Sequence, residues 1–257
     1  YSGIHYASPG AVNIENQLID WMKSIFGFPE TAIGNLASGG SIANLIALTA
    51  ARDRYRIKGE KIEKSVIYLS PQVHHCINKA LRIIGLEDVL INYVELDNNY
   101  RMNPVDLAQK INQDKANGLE PFLLIASAGT TDTGAIDPLD QLADLADQHQ
   151  LWFHVDAAYG GAAILAKNGK KLLKGIDKAD SITVDPHKWF FQPYDVTSVG
   201  LYVDGIPVGG NPLKLKYGAT GGQTTIPVLR NMLQSTGKWL NDAGSDIERD
   251  DIAKGYA

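Results

Sequence analysis

From Val66 to Val203 short apolar runs alternate with segments of helical periodicity, and few folds accommodate that order. Val66–Leu69, Val89–Leu96, Phe122–Ala126, Leu151–Val155, Ile182–Val184 and Val199–Val203 read as strands. Between them, Val73–Ile84 reads as a helix. Asn103-Pro104 and Asp137-Pro138 each open a further helix with a capping side chain before a proline, the second running to about His149. Upstream, Ile14, Leu18, Ile19, Met22, Ile25 and Phe26 recur at helical spacing until Gly27–Pro29 stops them. A short stretch at Ala32–Ala37 leads to Ser38-Gly39-Gly40-Ser41. A helix follows there, with Ile42, Leu45, Ile46, Leu48 and Thr49 as its expected buried side. This alternation predicts an α/β fold, a mostly parallel sheet with helices on both faces. In such sheets ligands sit at the carboxyl ends of the strands. Residues 1–204 form the expected large domain. Residues 205–257 read as a Gly-rich loop, an amphipathic helix through Ile226, Leu229, Leu233 and Leu240, and a charged tail.

Composition removes several classes of function. A hydrophobic content of 44% and a charged content of 21% describe an ordinary globular chain. The net charge of −5 offers no basic footprint for nucleic acid or an anionic membrane. No apolar run is long enough for a transmembrane helix. One cysteine, Cys76, excludes an internal disulfide framework and fits a reducing compartment, so the expected location is cytoplasmic. The chain starts at Tyr1 without methionine or a signal-peptide pattern, as a processed or truncated product would.

Chemistry-bearing residues fall where strands end. Ser38-Gly39-Gly40-Ser41 opens a helix, where free N–H groups and the dipole suit a phosphate, though a simple capped turn reads the same way. His74-His75 follows a strand and suits a metal, a stacked ring or a solvated helix start. Ser127–Gly134 supplies hydroxyls, Thr130 among them, after another strand. In His154-Val155-Asp156-Ala157-Ala158-Tyr159-Gly160-Gly161 a carboxylate tips an apolar strand, a costly place unless it is paired. In Asp185-Pro186-His187-Lys188-Trp189 an amine stands between a proline and aromatic residues, surroundings expected to favour its neutral, nucleophilic form. A carboxylate for a pyridine nitrogen, an amine for a Schiff base and a phosphate cradle are together the parts a pyridoxal phosphate site requires.

On these words, together with Ala7-Ser8-Pro9, Asp20-Trp21 and Gln72-Val73-His74, residues 1–204 resemble the group II pyridoxal-phosphate-dependent amino-acid decarboxylases. These act on aromatic amino acids, histidine, glutamate or diaminobutyrate. The resemblance implies the large domain of a fold type I enzyme, with a mixed, mostly parallel seven-stranded sheet. It implies pyridoxal 5'-phosphate as cofactor, an L-amino acid converted to its amine and carbon dioxide, and a homodimer. It also implies Lys188 as the Schiff-base lysine, Asp156 as partner of the ring nitrogen, and His74 stacked on the ring. Gly40, Ser41 and His187 would lie near the phosphate, Ala158 on the ring's other face and Thr130 near the 3-hydroxyl. Asp185 would help hold the phosphate or the lysine. The family's N-terminal segment and complete small domain have no counterpart here. Tyr217 and Arg230 are weak matches to its loop tyrosine and carboxylate-binding arginine.

Other readings stay open at this level: a lyase or aminotransferase on the same cofactor, or a shortened non-catalytic relative. A metal hydrolase using His74, His75, His154 and Asp156 ranks last, because the spacing of those residues matches no metal motif.

Overall fold

Strands bury residues on both faces only where helices cover both, and here the strands do so. A computed structural model describes residues 8–190, 198–202, 207–208 and 211–212. In chain order the described elements are α1 (Pro9–Phe26), β1 (Ile33–Ala37), α2 (Gly40–Arg54), β2 (Ser65–Leu69), α3 (Cys76–Ile83), β3 (Leu90–Tyr93) and α4 (Pro104–Ala116). Then follow β4 (Glu120–Ser127), α5 (Leu139–His149), β5 (Trp152–Asp156), the single turn α6 (Gly169–Leu172), β6 (Ser181–Val184) and β7 (Ser198–Tyr202). A two-stranded ladder, β8 (Pro207–Val208) with β9 (Asn211–Pro212), completes them.

The seven-stranded sheet has the order β1-β7-β6-β5-β4-β2-β3. β3, β2, β4, β5 and β6 pair in parallel, and β7 runs antiparallel to both of its neighbours, β6 and β1. Alternate residues feed two cores, as the twofold period of a strand requires. Tyr68, Leu124, Phe153, Val155 and Ile182 pack with α1, α4 and α5 on one face. Ile67, Leu69, Leu123, Ile125 and Trp152 pack with α2 and α3 on the other.

Four expectations need correcting. The helix expected from Val73 begins at Cys76, so His74 and His75 lie in the turn before it. β3 is shorter than the expected Val89–Leu96. The buried side of α2 is Ala43, Asn44, Ala47, Leu48, Ala50 and Ala51, whereas Ile42 is exposed and Leu45, Ile46 and Thr49 are half-buried. The alanines let this helix lie close to the sheet, and bulk was a poor guide to its orientation. Asp137 does not cap α5; it is buried and accepts the Met102 and Ser127 N–H groups at 2.7 Å each, tying the β4 exit to the start of α4. Asn103 does cap α4, accepting from Val105 N at 2.9 Å. Ala7, Tyr217, Arg230 and the helix expected through Ile226–Leu240 lie outside the described residues.

Candidate active site

The carboxyl ends of β5 and β6 carry the two groups of opposite charge that the sequence singled out. Asp156 is the last residue of β5 and is paired in register with Thr183 of β6. Like Trp152, it faces the α2 side of the sheet. Its Oδ1 accepts the Ala158 N–H at 3.1 Å and its Oδ2 accepts from Asn44 Nδ2 at 3.1 Å. Burial pushes its pKa up; the Ala158 N–H, the Lys188 charge and the Asn44 amide act against that, and Asp185 adds to it. The backbone of Ala158 continues the link, since its carbonyl accepts the Asp185 N–H at 3.3 Å.

Pro186 ends β6 and a tight turn follows, with Lys188 N–H donating to the Asp185 carbonyl at 3.1 Å. Lys188 Nζ lies 3.0 Å from Asp185 Oδ2. The amine is therefore not enclosed by rings, as its neighbours in sequence suggested: it faces a carboxylate. Trp189 instead packs edge-to-face on Tyr159 and Phe190 on Trp21. His187 Nε2 is 3.8 Å from the same carboxylate oxygen.

Asp185 also touches the start of α2. A Cβ added to Gly40 would lie 2.8 Å from Asp185 Oδ2, so the backbone there must be bare to admit the carboxylate. Ser41 is exposed at the same helix start. His74 is half-buried in the turn after β2; its Nδ1 accepts the Cys76 N–H at 3.3 Å, which leaves Nε2 to carry the ring proton. Burial and then His75, whose ring centroid is 4.1 Å away, lower its pKa; Asp156 and Asp185 oppose this, and Lys188 adds to it.

Thr130 stands apart. It is buried, its hydroxyl lies 2.7 Å from Thr133 Oγ1 and accepts the Ala135 N–H at 3.2 Å, and Thr133 donates in turn to Gln72 Oε1. Its hydroxyl is engaged within its own loop.

His154 is not poised for a metal. Both of its ring nitrogens are hydrogen-bonded, Nδ1 to Ser181 Oγ and Nε2 to Asn44 Oδ1, each at 2.8 Å. Sequence reasoning passed over Asn44 and Ser181. The available signal was an amide between Ala43 and Ala47 on a helix, a polar group with no obvious reason to be buried.

The mixed sheet, with its single antiparallel strand β7 between β6 and β1, is that of the large domain of fold type I pyridoxal phosphate enzymes. The pyridoxal-dependent decarboxylase conserved domain matches residues 3–217. The chain belongs to that family, whose cofactor is pyridoxal 5'-phosphate. It is 46% identical over 193 residues to the aromatic-L-amino-acid decarboxylase of Bacillus atrophaeus, a match covering 75% of this chain and 40% of the relative. The glutamate decarboxylase domain of a Vibrio parahaemolyticus protein superposes with a TM-score of 0.74 at 35% identity, over 78% of this chain and 46% of that one. Tryptophan decarboxylase (TDC) of Oryza sativa, solved with PLP and tryptamine, gives 0.71 at 30% identity, over 79% and 46%. The chain thus spans about two-fifths of the length of the curated relatives it matches.

The residues present suit the cofactor. Asp156 is a buried carboxylate with an amide and a backbone N–H as its neutral donors, so it lacks the cation that a protonated ring nitrogen would supply. A primary amine and a bare helix start meet at Asp185, whose N–H donates to the Ala158 carbonyl.

Proposed function

We propose that this chain carries out pyridoxal-phosphate-dependent decarboxylation of an L-amino acid, releasing the amine and carbon dioxide. The observation that carries this reading is the joining of Asp156 and Lys188 through Ala158 and Asp185 at adjacent strand ends. Bound cofactor supplies the electron sink that lets the bond to the substrate carboxylate break.

The chain's own residues do the rest. Lys188 holds the cofactor through its amine, and Asp185 anchors that amine. Asp156 keeps a proton on the ring nitrogen by placing a fixed negative charge beside it, an electrostatic contribution made before the reaction begins. Gly40 and Ser41 at the start of α2, with His187, would hold the phosphate. His74 would stack on the ring, and Ala158 would leave space for it. Thr130 is assigned to the 3-hydroxyl side, which requires its hydroxyl to leave Thr133. A homodimer in the cytoplasm belongs to the same reading, supported by the family resemblance and by the single, buried free cysteine.

Incubation of the 257-residue chain with pyridoxal phosphate and a panel of aromatic, acidic and basic L-amino acids tests the reading. Carbon dioxide and an amine in equal amounts are expected from at least one substrate. A keto acid instead would assign the site to transamination, and cofactor binding without product from any amino acid would leave a binding protein.

A further inference from the structure

Behind Asp156 the core contains a continuous line of polar side chains: Trp152, Ser181, His154 and Asn44. Trp152 Nε1–H donates to Ser181 Oγ at 2.8 Å. Ser181 Oγ is 2.8 Å from His154 Nδ1, His154 Nε2 is 2.8 Å from Asn44 Oδ1, and Asn44 Nδ2 donates to Asp156 Oδ2 at 3.1 Å. All of these side chains are buried, and His154 and Ser181 are fully so.

The chemistry of the last member fixes the direction of the whole line. An ionised carboxylate can only accept, so Asn44 turns its amide N–H toward Asp156 and its carbonyl oxygen toward His154 Nε2. The neutral imidazole then carries its proton on Nε2 and donates it to that oxygen, which leaves Nδ1 to accept from the Ser181 hydroxyl. Ser181 in turn accepts from the Trp152 indole N–H, which can only donate. Burial lowers the His154 pKa to about 4, in keeping with a neutral ring.

We infer that Asn44, His154 and Ser181 are positioning residues that hold the Asp156 carboxylate ionised and oriented toward the cofactor's ring nitrogen, with Trp152 donating to the far end of the line. This rests on the reading of Asp156 given above. A scattered set of core hydrogen bonds would stabilise the fold equally well, but it would not transmit a change at Ser181 to the cofactor. The line does so by way of a tautomer. Without the hydroxyl proton Nδ1 loses its donor, and the preference for the Nε2 tautomer weakens. In the other tautomer Nε2 has no proton for Asn44, whose amide then turns its carbonyl oxygen toward a carboxylate.

The test uses the full chain with nitrogen-labelled histidine. In the cofactor-free protein, His154 is expected to be protonated at Nε2 and bare at Nδ1, unchanged from about pH 6 to about pH 8. Ser181→Ala should mix the two tautomers, weaken pyridoxal phosphate binding ~10-fold or more and shift the absorbance of the bound cofactor, with Ser181→Thr recovering most of the loss. Asn44→Leu should weaken binding at least as much. Protonation at Nδ1 in the unmodified protein would overturn the inference. So would wild-type affinity and spectrum in folded Ser181→Ala, which decides the matter if Asn44→Leu does not fold. Asp156→Ala separates the two readings. If it too leaves binding unaltered, the assignment of Asp156 fails; if it alone abolishes the cofactor's spectrum, only the positioning line fails.

Discussion

The amine of Lys188 and the carboxylate of Asp185 meet at 3.0 Å, three residues apart in one turn, the carboxylate 4% exposed and the lysine 35%. The pair explains how a lysine beside tryptophan and phenylalanine keeps its head out of the apolar core. The turn after Pro186 aims it along the strand end, and Asp185 receives it.

If Lys188 is the attachment point, borohydride treatment of the chain with pyridoxal phosphate gives a stable adduct that peptide mass mapping locates at Lys188. Lys188→Ala gives no adduct. An adduct at another lysine in the unmodified protein would remove Lys188 from its proposed role. Asp185→Ala leaves the amine unanchored, and adduct formation is expected to slow ~10-fold or more, the loss typical of a partner that orients a reacting group.

Gly40 and Gly160 test the backbone of the site in different ways. A Cβ at position 40 would meet Asp185 Oδ2 at 2.8 Å, a side chain that can move. Gly40→Ala is therefore expected to fold, with a loss of about 1 kcal/mol, while weakening cofactor binding ~10-fold. A Cβ at position 160 would lie 2.4 Å from the Ala128 carbonyl oxygen, which is backbone and already accepts the Gly160 N–H at 2.9 Å. Gly160→Ala should lower stability by about 3 kcal/mol in urea titrations.

Stability should depend on pH through His154. Burial pushes its pKa down to about 4 in the folded chain, from an ordinary 6.5. Between these values the unfolded chain binds the extra proton, so stability rises with pH across that window and is lost as pH falls from about 6.5 toward about 4. The shift corresponds to about 3 kcal/mol at most. Asp156, raised by burial, contributes the opposite slope above its ordinary range, because there the folded chain holds the proton more tightly. Cofactor-free His154→Gln, if folded, should show an acid-side slope smaller by about one proton than the unmodified chain. Equal slopes would mean that His154 does not titrate on unfolding.

Removal of the α4 cap gives a control remote from the site. Asn103 Oδ1 accepts from Val105 N and, at 3.4 Å, from Asp106 N. Asn103→Ala should lower stability by about 1 kcal/mol and leave cofactor affinity unchanged.

The alternation of strands and helices, the carboxylate at the tip of β5 and the lysine after Asp185-Pro186 were all legible in the order of residues. Periodicity and proline act locally, through backbone sterics and side-chain direction, so a linear reading captures them. Their limits appear in α2, where counting bulky residues found Leu48 but missed Asn44 and the alanines that face the sheet. Helix-to-sheet distance decides that face, and small residues win where the distance is short. The fate of Asp137 was equally out of reach, since its two donors, Met102 N and Ser127 N, come from different parts of the chain. Only the tertiary structure put Asn44 beside Asp156 and His154, 112 and 110 positions away, and Asp185 against both Gly40 and Lys188. By itself the sequence determined which chemistry-bearing groups stand at strand ends. Which of them share hydrogen bonds was decided by folding, because burial forces each polar group to find a partner wherever the packed sheet and helices provide one.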